Sequence, residues 1–498
     1  MMDREIELKF LIAPEASDAV LARLDGREDV RRLDATYYDT ADHALRRAGF
    51  GLRVRDGDGG RKQTLKSASA GGVFARGEWE APVTGPGPDR DLLDQTPAGR
   101  IVNGDVLAPI FATKVERTLR LVEHGGATIE AALDRGELQA GTDRAAVSEL
   151  ELELKTGAPA ALFALARDLM AHAPLRLSLV SKAERGYALA LGEAPSARRE
   201  AAVLRPDMTA AEAFQALGNT ALGRLCVAAE TLADLPGPEA VHELRVAARR
   251  LRALIKLFRP LTGKLAATPA LEALKALADA LGPARDLDVY IAGVWRPAVS
   301  ADPQPVEGLG ALGKALVEAQ QGAYARAVEA AQPERFGPLA LDIAAWLETG
   351  DWLEDPERAE ARRAPAKAFA TRQLNRLAKD VLKRGEDFDA LDIEARHALR
   401  IRGKGLRYAI DALAPLFPDH PKRLERWSAA TRQMQDALGG LNDASLGADL
   451  ARAAALADGD PEAAYAAGRL SAAPEGTESL TREAKAALDE LADLKPFW

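Results

Sequence analysis

Glu5, Glu7 and Lys9 stand two residues apart in the segment Glu5-Ile6-Glu7-Leu8-Lys9-Phe10-Leu11-Ile12, whose even-numbered positions are apolar. A second segment repeats the arrangement with Glu149, Glu151, Glu153 and Lys155. Carboxylates sharing a face hold a hard divalent cation, and an ammonium or guanidinium beside them meets an anion. Such a face equally serves as the wet side of a sheet, and neither segment decides alone. Further charged residues share a parity in Arg53 with Arg55, Lys62 with Lys66, Arg76 with Glu78 and Glu80, and Glu130 with Asp134.

A period of two belongs to strands. Beyond the opening strand and a helix over about Ala13 to Leu24, the pattern predicts seven more: Ala35–Thr40, Phe50–Arg55, Lys62–Lys66, Ala75–Glu80, Phe111–Val122, Ala127–Leu133 and Val147–Lys155. Asp56-Gly57-Asp58-Gly59-Gly60 and His124-Gly125-Gly126 supply turns between them. Eight antiparallel strands with one charged face form either an open sheet wet on that side or a closed barrel whose lumen carries both signs of charge. Arginine pairs on separate strands favour the closed, eight-stranded antiparallel β-barrel, where buried charges must be paired, metal-bound or matched to a polyanion. Lys114 and Arg117 have opposite parity, so either a bulge separates them or one points outward.

At 498 residues the chain is long enough for two or three cores. Hydrophobic residues make up 47% and charged residues 28%, without an apolar run long enough to cross a bilayer or a basic-then-apolar leader, which predicts a soluble, cytoplasmic protein. The lone Cys226 excludes an internal disulfide and reads as core, and the six histidines show no metal-ligand spacing. A net charge of −9 argues against a generally nucleic-acid-binding protein, so an anion site needs local clustering of Lys and Arg.

The period turns helical from Ala158 to Leu191, a linker follows at 196–206, and the remainder reads as helices punctuated by Pro and Gly. The fold class is thus α+β multidomain: 1–195 the strand domain, 207–498 an all-α domain in two related halves, about 207–350 and 366–498. The halves carry copies of one segment. His242, Arg245, Arg249, Arg252 and Lys256 advance by three and four, and His397, Arg400, Lys404 and Arg407 repeat the advance, each row beside an apolar stripe. Leu281-Gly282-x-x-Arg285-Asp286 and Leu438-Gly439-x-x-Asn442-Asp443 follow in the same order. Glu243 and Asp411 are the only acids within the two basic stretches, so the rows call for a polyanion, and an internal duplication makes a bundle with pseudo-twofold symmetry.

Glu5-x-Glu7-x-Lys9, Tyr37-Tyr38-Asp39-Thr40, Leu52-Arg53-x-Arg55, Glu149 to Lys155 and Ser181-Lys182-Ala-Glu-Arg-Gly186-Tyr187, in this order, resemble the CYTH family of triphosphate tunnel metalloenzymes. The resemblance implies a barrel tunnel in which Mg²⁺ or Mn²⁺ promotes hydrolysis of a triphosphate, inorganic triphosphate in members with this two-domain arrangement. It implies Glu5, Glu7, Glu151 and Glu153 as metal ligands, joined by Glu149, Glu130 and Asp134, and Glu5, Glu7 and Lys9 as the catalytic group. Arg53, Arg55, Lys66 and Lys182 would grip phosphates, joined by Lys62, Arg76, Lys114 and Arg117. The helical copies resemble the CHAD domain, which implies binding of long-chain inorganic polyphosphate by His242, Arg245, Arg249, Arg252, Lys256, His397, Arg400, Lys404 and Arg407, and association with polyphosphate granules. Alternatives are a phosphate-sensing protein without catalysis, and a nucleotide enzyme: adenylate cyclase, or a nucleotide or thiamine triphosphate phosphohydrolase.

Overall fold

The computed structural model describes residues 6–57, 60–67, 77–193, 202, 204, 205, 207–300, 307–470 and 477–498. The chain divides into two compact units, Met1–Val203 with Asn219–Glu230 and Gln332–Gly350, and Leu204–Gly218 with Thr231–Ala331 and Asp351–Trp498. Among the described residues no helix is long and apolar enough to cross a membrane.

The first unit is built on an antiparallel sheet of β1 (Ile6–Ile12), β2 (Asp29–Asp39), β3 (Phe50–Asp56), β4 (Lys62–Ser67), β5 (Glu78–Pro82), β6 (Ala108–His124), β7 (Ala127–Ala140), β8 (Asp143–Thr156) and β9 (Leu175–Leu177). Their spatial order is β5-β4-β3-β2-β6-β7-β8-β1-β9. Alternation drives one face inward: Leu8, Phe10, Leu52, Val54, Leu65, Leu150 and Leu152 are all buried. The β6–β7 connection is a two-residue turn in which Gly125 and Gly126 have φ of 56° and 75°, the left-handed pair that suits a tight hairpin.

The sheet corrects the sequence expectation twice. Among the described residues it has nine strands, because Leu175–Leu177 pairs with β1; three residues are too few to register as alternation beside a helical pattern. Among those residues it is also not closed into a barrel. With β9 on one side of β1 and β8 on the other, both edges of β1 are occupied, and β5 and β9 remain the two edges. The expected helix at Ala13 to Leu24 is shorter, a 3₁₀ turn at Pro14–Ala16 and a helix at Ser17–Leu21.

The helix Pro159–Met170 packs on β8 and against the helix Pro333–Thr349. The helix Lys182–Leu191 lies on β6, β7 and β8, started by a capping box in which Ser181 and Glu184 satisfy each other's backbone N–H groups. Its Gly186 sits against Phe111, whose ring would overlap any added Cβ.

In the second unit the helices Pro238–Leu257 and Ile393–Leu413 bury Leu244, Ala248, Leu251 and Ile255, and Leu399, Leu406 and Ile410, and they pack on each other. Phe214, Phe258 and Phe369 stack at 4.8 Å centroid separations, with Trp352 edge-on to Phe214.

Candidate active site

The charged face of the sheet, the short helix Ala44–Arg47 and the start of the helix Lys182–Leu191 enclose a cavity of about 640 Å³. Within the size range of small-ligand pockets, it carries an unusual load of charge of both signs. Arg53 and Arg55 of β3, Lys66 of β4 and Arg117 of β6 come from one side, with Glu78 and Glu80 of β5 beside them. Glu7 and Lys9 of β1, Asp134 of β7, and Glu151, Glu153 and Lys155 of β8 come from the other.

Register explains the grouping. Lys9 stands opposite Glu151, and Glu7 opposite Glu153, which faces Glu130 on its other side. Lys9 Nζ lies 3.2 Å from Glu151 and 3.4 Å from Glu7. Lys155 Nζ lies 2.6 Å from Glu153 and 3.4 Å from Glu130. Arg117 forks across Asp134, with both contacts within 2.7 Å, and reaches Glu151 at 2.6 Å.

Lys182 enters from the helix and lies 2.9 Å from Asp134, 2.5 Å from Glu149 and 2.9 Å from Glu151. Burial alone would lower its pKa, but those three carboxylates hold it well above the usual lysine value. The reciprocal holds for Glu151, where burial is outweighed by Lys182, Lys9 and Arg117 and the pKa falls well below the usual range. Asp134 is lowered likewise against its burial by Lys182 and Arg117, and Arg117 is raised well above its ordinary value against burial by Glu151 and Asp134.

The cationic side is different. Arg55 pairs with Glu80 at 3.3 Å, and Lys66 with Glu78 at 3.2 Å. Arg53 has no carboxylate partner among the described residues: its Nη1 reaches Tyr37 Oη at 3.4 Å and its buried Nε has no hydrogen bond. Burial pulls the Arg53 pKa down, but Tyr37 and the Glu78 charge outweigh it and the pKa is raised. Burial and the neighbouring Arg53 lower Arg55, although Glu80 opposes them.

Other expected site residues fall elsewhere. Lys114 is exposed, on the opposite face of β6 from Thr113, Val115 and Arg117, which line the cavity; the register shift on this strand pair is at Tyr37/Tyr38, so no bulge rescues it. Lys62 shares the face but is not part of the wall, and pairs with Glu80 at 2.6 Å. Glu149 is 1% exposed and lies against Lys182 without lining the cavity, and Glu130 is likewise outside the lining. Glu5 and Arg76 lie outside the described residues.

Parity did not point to Arg46, Ser181, Asn219, Thr220 or Arg224, which also line the cavity, because none of them is on a strand. Among the described residues no group of three or more His, Cys, Asp and Glu side chains is arranged to hold a metal ion. The donor chemistry nonetheless suits a hard divalent ion, since Glu7, Glu153 and Glu130 follow one another across three strands and offer only carboxylate oxygens.

In the second unit, burial and the Arg285 charge lower the His242 pKa. Burial also lowers Arg245, which Asp286 opposes and Arg249, Arg285 and Arg400 reinforce; it lowers Lys256 together with Arg252, Arg259 and Arg402. The two basic rows are therefore near enough to repel. Among the described residues the Nε atoms of Arg249 and Arg252 are buried without a hydrogen-bond partner.

The model of the CYTH domain matches residues 3–187, and that of the CHAD domain residues 219–452. An inorganic triphosphatase of Haemophilus influenzae is 34% identical over 204 residues, which cover 38% of this chain and 56% of the relative. The chain thus spans little more than half of that relative's length. An uncharacterized protein of Mycobacterium tuberculosis is 27% identical over 445 residues, 82% of each chain. The crystal structure of the CHAD domain from the plant Ricinus communis superposes with a TM-score of 0.51 at 25% identity, covering 60% of this chain and 97% of that one.

Proposed function

Because the chain joins a CYTH domain to a CHAD domain, we propose that it hydrolyses inorganic triphosphate in the cavity of the first unit with the help of a divalent metal, and that its helical unit binds inorganic polyphosphate. The observation that carries this reading is the half-buried Arg53, whose Nε is buried without a hydrogen bond and which has no carboxylate in ion-pair contact among the described residues, beside Arg55 and across the cavity from a carboxylate-rich wall. A guanidinium with a buried, unbonded N–H favours an oxyanion, and a polyanion entering the cavity supplies one.

In this reading Arg53, Arg55, Lys66 and Arg117 bind the non-bridging oxygens and hold the phosphate chain in line. Water attacks a terminal phosphorus, the bridging P–O bond breaks, and orthophosphate and pyrophosphate leave. Glu7 and Glu153, with Glu130 and Glu5, would hold Mg²⁺ or Mn²⁺, which supplies charge neutralisation and a more acidic water when bound. Lys9 ties Glu7 to Glu151 and keeps the acidic wall from repelling itself. Lys182 is engaged by three carboxylates, and its part is to assemble that wall more than to grip phosphate.

The helical half of the proposal rests on Arg249 and Arg252, whose buried Nε atoms lack partners, and on the facing helices Pro238–Leu257 and Ile393–Leu413. Arg245 pairs with Asp286 at 3.5 Å, but the rows carry more cations than that one acid offsets, and like charges this close favour an intervening polyanion. We take these helices to be copies related by a pseudo-twofold, from their shared sequence pattern.

A substrate panel of triphosphate, ATP, thiamine triphosphate and long-chain polyphosphate, each with Mg²⁺ or with EDTA, tests the enzyme. Phosphate release that is fastest from triphosphate and absent in EDTA is expected. Release from none of them, with binding retained, would make the first unit a receptor and overturn the hydrolase reading.

A further inference from the structure

Two segments marked in the sequence, Tyr37 to Thr40 and Gly186-Tyr187, meet at Asp39, which the chemistry above does not use. Asp39 is 0% exposed. Its Oδ1 accepts the backbone N–H groups of Thr40 at 2.8 Å and Leu45 at 2.9 Å; its Oδ2 accepts the Arg46 N–H at 2.9 Å and the Tyr187 hydroxyl at 2.7 Å. The Thr40 hydroxyl also reaches Oδ1 at 3.5 Å, and a buried carboxylate with five donors fixes everything that donates to it. Here it fixes the backbone at Arg46 and the ring of Tyr187 together.

The Arg46 side chain follows from that anchorage. Its guanidinium carbon lies 5.3 Å from the centre of the Tyr187 ring, and Nη2 reaches Glu193 at 2.7 Å. Glu193 is about half exposed, and a solvent-screened pair of this kind is weak. Arg46 lines the cavity together with Gly49, Phe50, Gly51, Arg53 and Arg55, which continue the chain into β3. Arg47, the next residue, bonds Asp42 and is absent from that lining.

We propose that Arg46 is a phosphate-binding residue of the cavity, exchanging Glu193 for an oxyanion of a short polyphosphate, and that Asp39 and Tyr187 are the positioning residues that hold it there. This rests on the cavity being a polyphosphate site. The stacked guanidinium extends the cationic wall beyond the strands, and its planar fork matches a phosphate edge in a way lysine does not.

The test is calorimetric binding of tripolyphosphate to the full chain in EDTA, where hydrolysis does not intervene. Removing a charge-assisted contact predicts a Kd about tenfold weaker for Arg46→Ala, with Arg46→Lys recovering part of the loss. Tyr187→Phe, which keeps the ring and loses the bond to Asp39, weakens binding by about two- to threefold on the scale of one neutral hydrogen bond. Arg47→Ala, with the same charge lost from the same helix, binds like the parent. A purely structural role for Arg46 would lower the melting temperature and leave the Kd alone. Arg46→Ala binding within twofold of the parent overturns the proposal, and so does a parent that binds no tripolyphosphate. A parent that binds but releases no phosphate with Mg²⁺ sinks the hydrolase reading and leaves Arg46 standing.

Discussion

Replacing Lys182 with methionine removes the cation that three carboxylates share, two of them, Asp134 and Glu149, buried. Two of them keep strong partners. Asp134 retains the Arg117 fork, and Glu151 retains Arg117 at 2.6 Å and Lys9 at 3.2 Å. Glu149, 1% exposed, is left with Arg185 at 3.8 Å. Breaking a buried pair by deleting one partner costs about 3–5 kcal/mol, and here the cost falls mainly on Glu149. In a unit of this size each kcal/mol moves the midpoint by about 2–4 °C, so calorimetry of Lys182→Met should show a loss of about 6–20 °C. Adding Glu149→Gln removes the stranded charge and should restore a large part of that loss. A deficit below about 1 kcal/mol, the scale of an exposed pair, or no rescue by Glu149→Gln, would refute the reasoning.

Glu153→Gln should abolish metal-dependent phosphate release yet change stability by less than about 1 kcal/mol, since it also relieves like charges facing it on β1 and β7; activity and melting measured on one preparation separate the two effects. Gly186→Ala should destabilise the first unit by about 1–3 kcal/mol through overlap with Phe111, read as a lower melting temperature. Asp134 and Glu151 have folded pKa values below their unfolded ones, so their contribution is complete above about pH 4 and is lost as pH falls through the depressed values. Circular dichroism on acid titration should show this loss beginning at higher pH in Arg117→Met.

Strand parity carried most of the cavity. Glu7, Lys9, Arg53, Arg55, Lys66, Arg117, Glu151 and Glu153 share one face because side chains alternate, whatever the tertiary arrangement. Parity says nothing about what covers a face, however. Glu149 has the right phase, but Lys182 from a later helix lies against it, and Lys62 has the right phase outside the wall. Closure was equally invisible, since it depends on the edges of β1, and the three residues of β9 that occupy one of them are too short to show a period. Arg46 sits on a four-residue helix, and Asn219, Thr220 and Arg224 on a helical segment distant in sequence, so no periodic signal ties them to the strands.

The central claim, that side chains of both signs converge on one triphosphate site, is tested most directly by a crystal soaked with tripolyphosphate and Mn²⁺. The account predicts the phosphate chain against Arg53, Arg55, Lys66 and Arg117, with anomalous density beside Glu7 and Glu153. An empty cavity in crystals whose tripolyphosphate is bound elsewhere would contradict it.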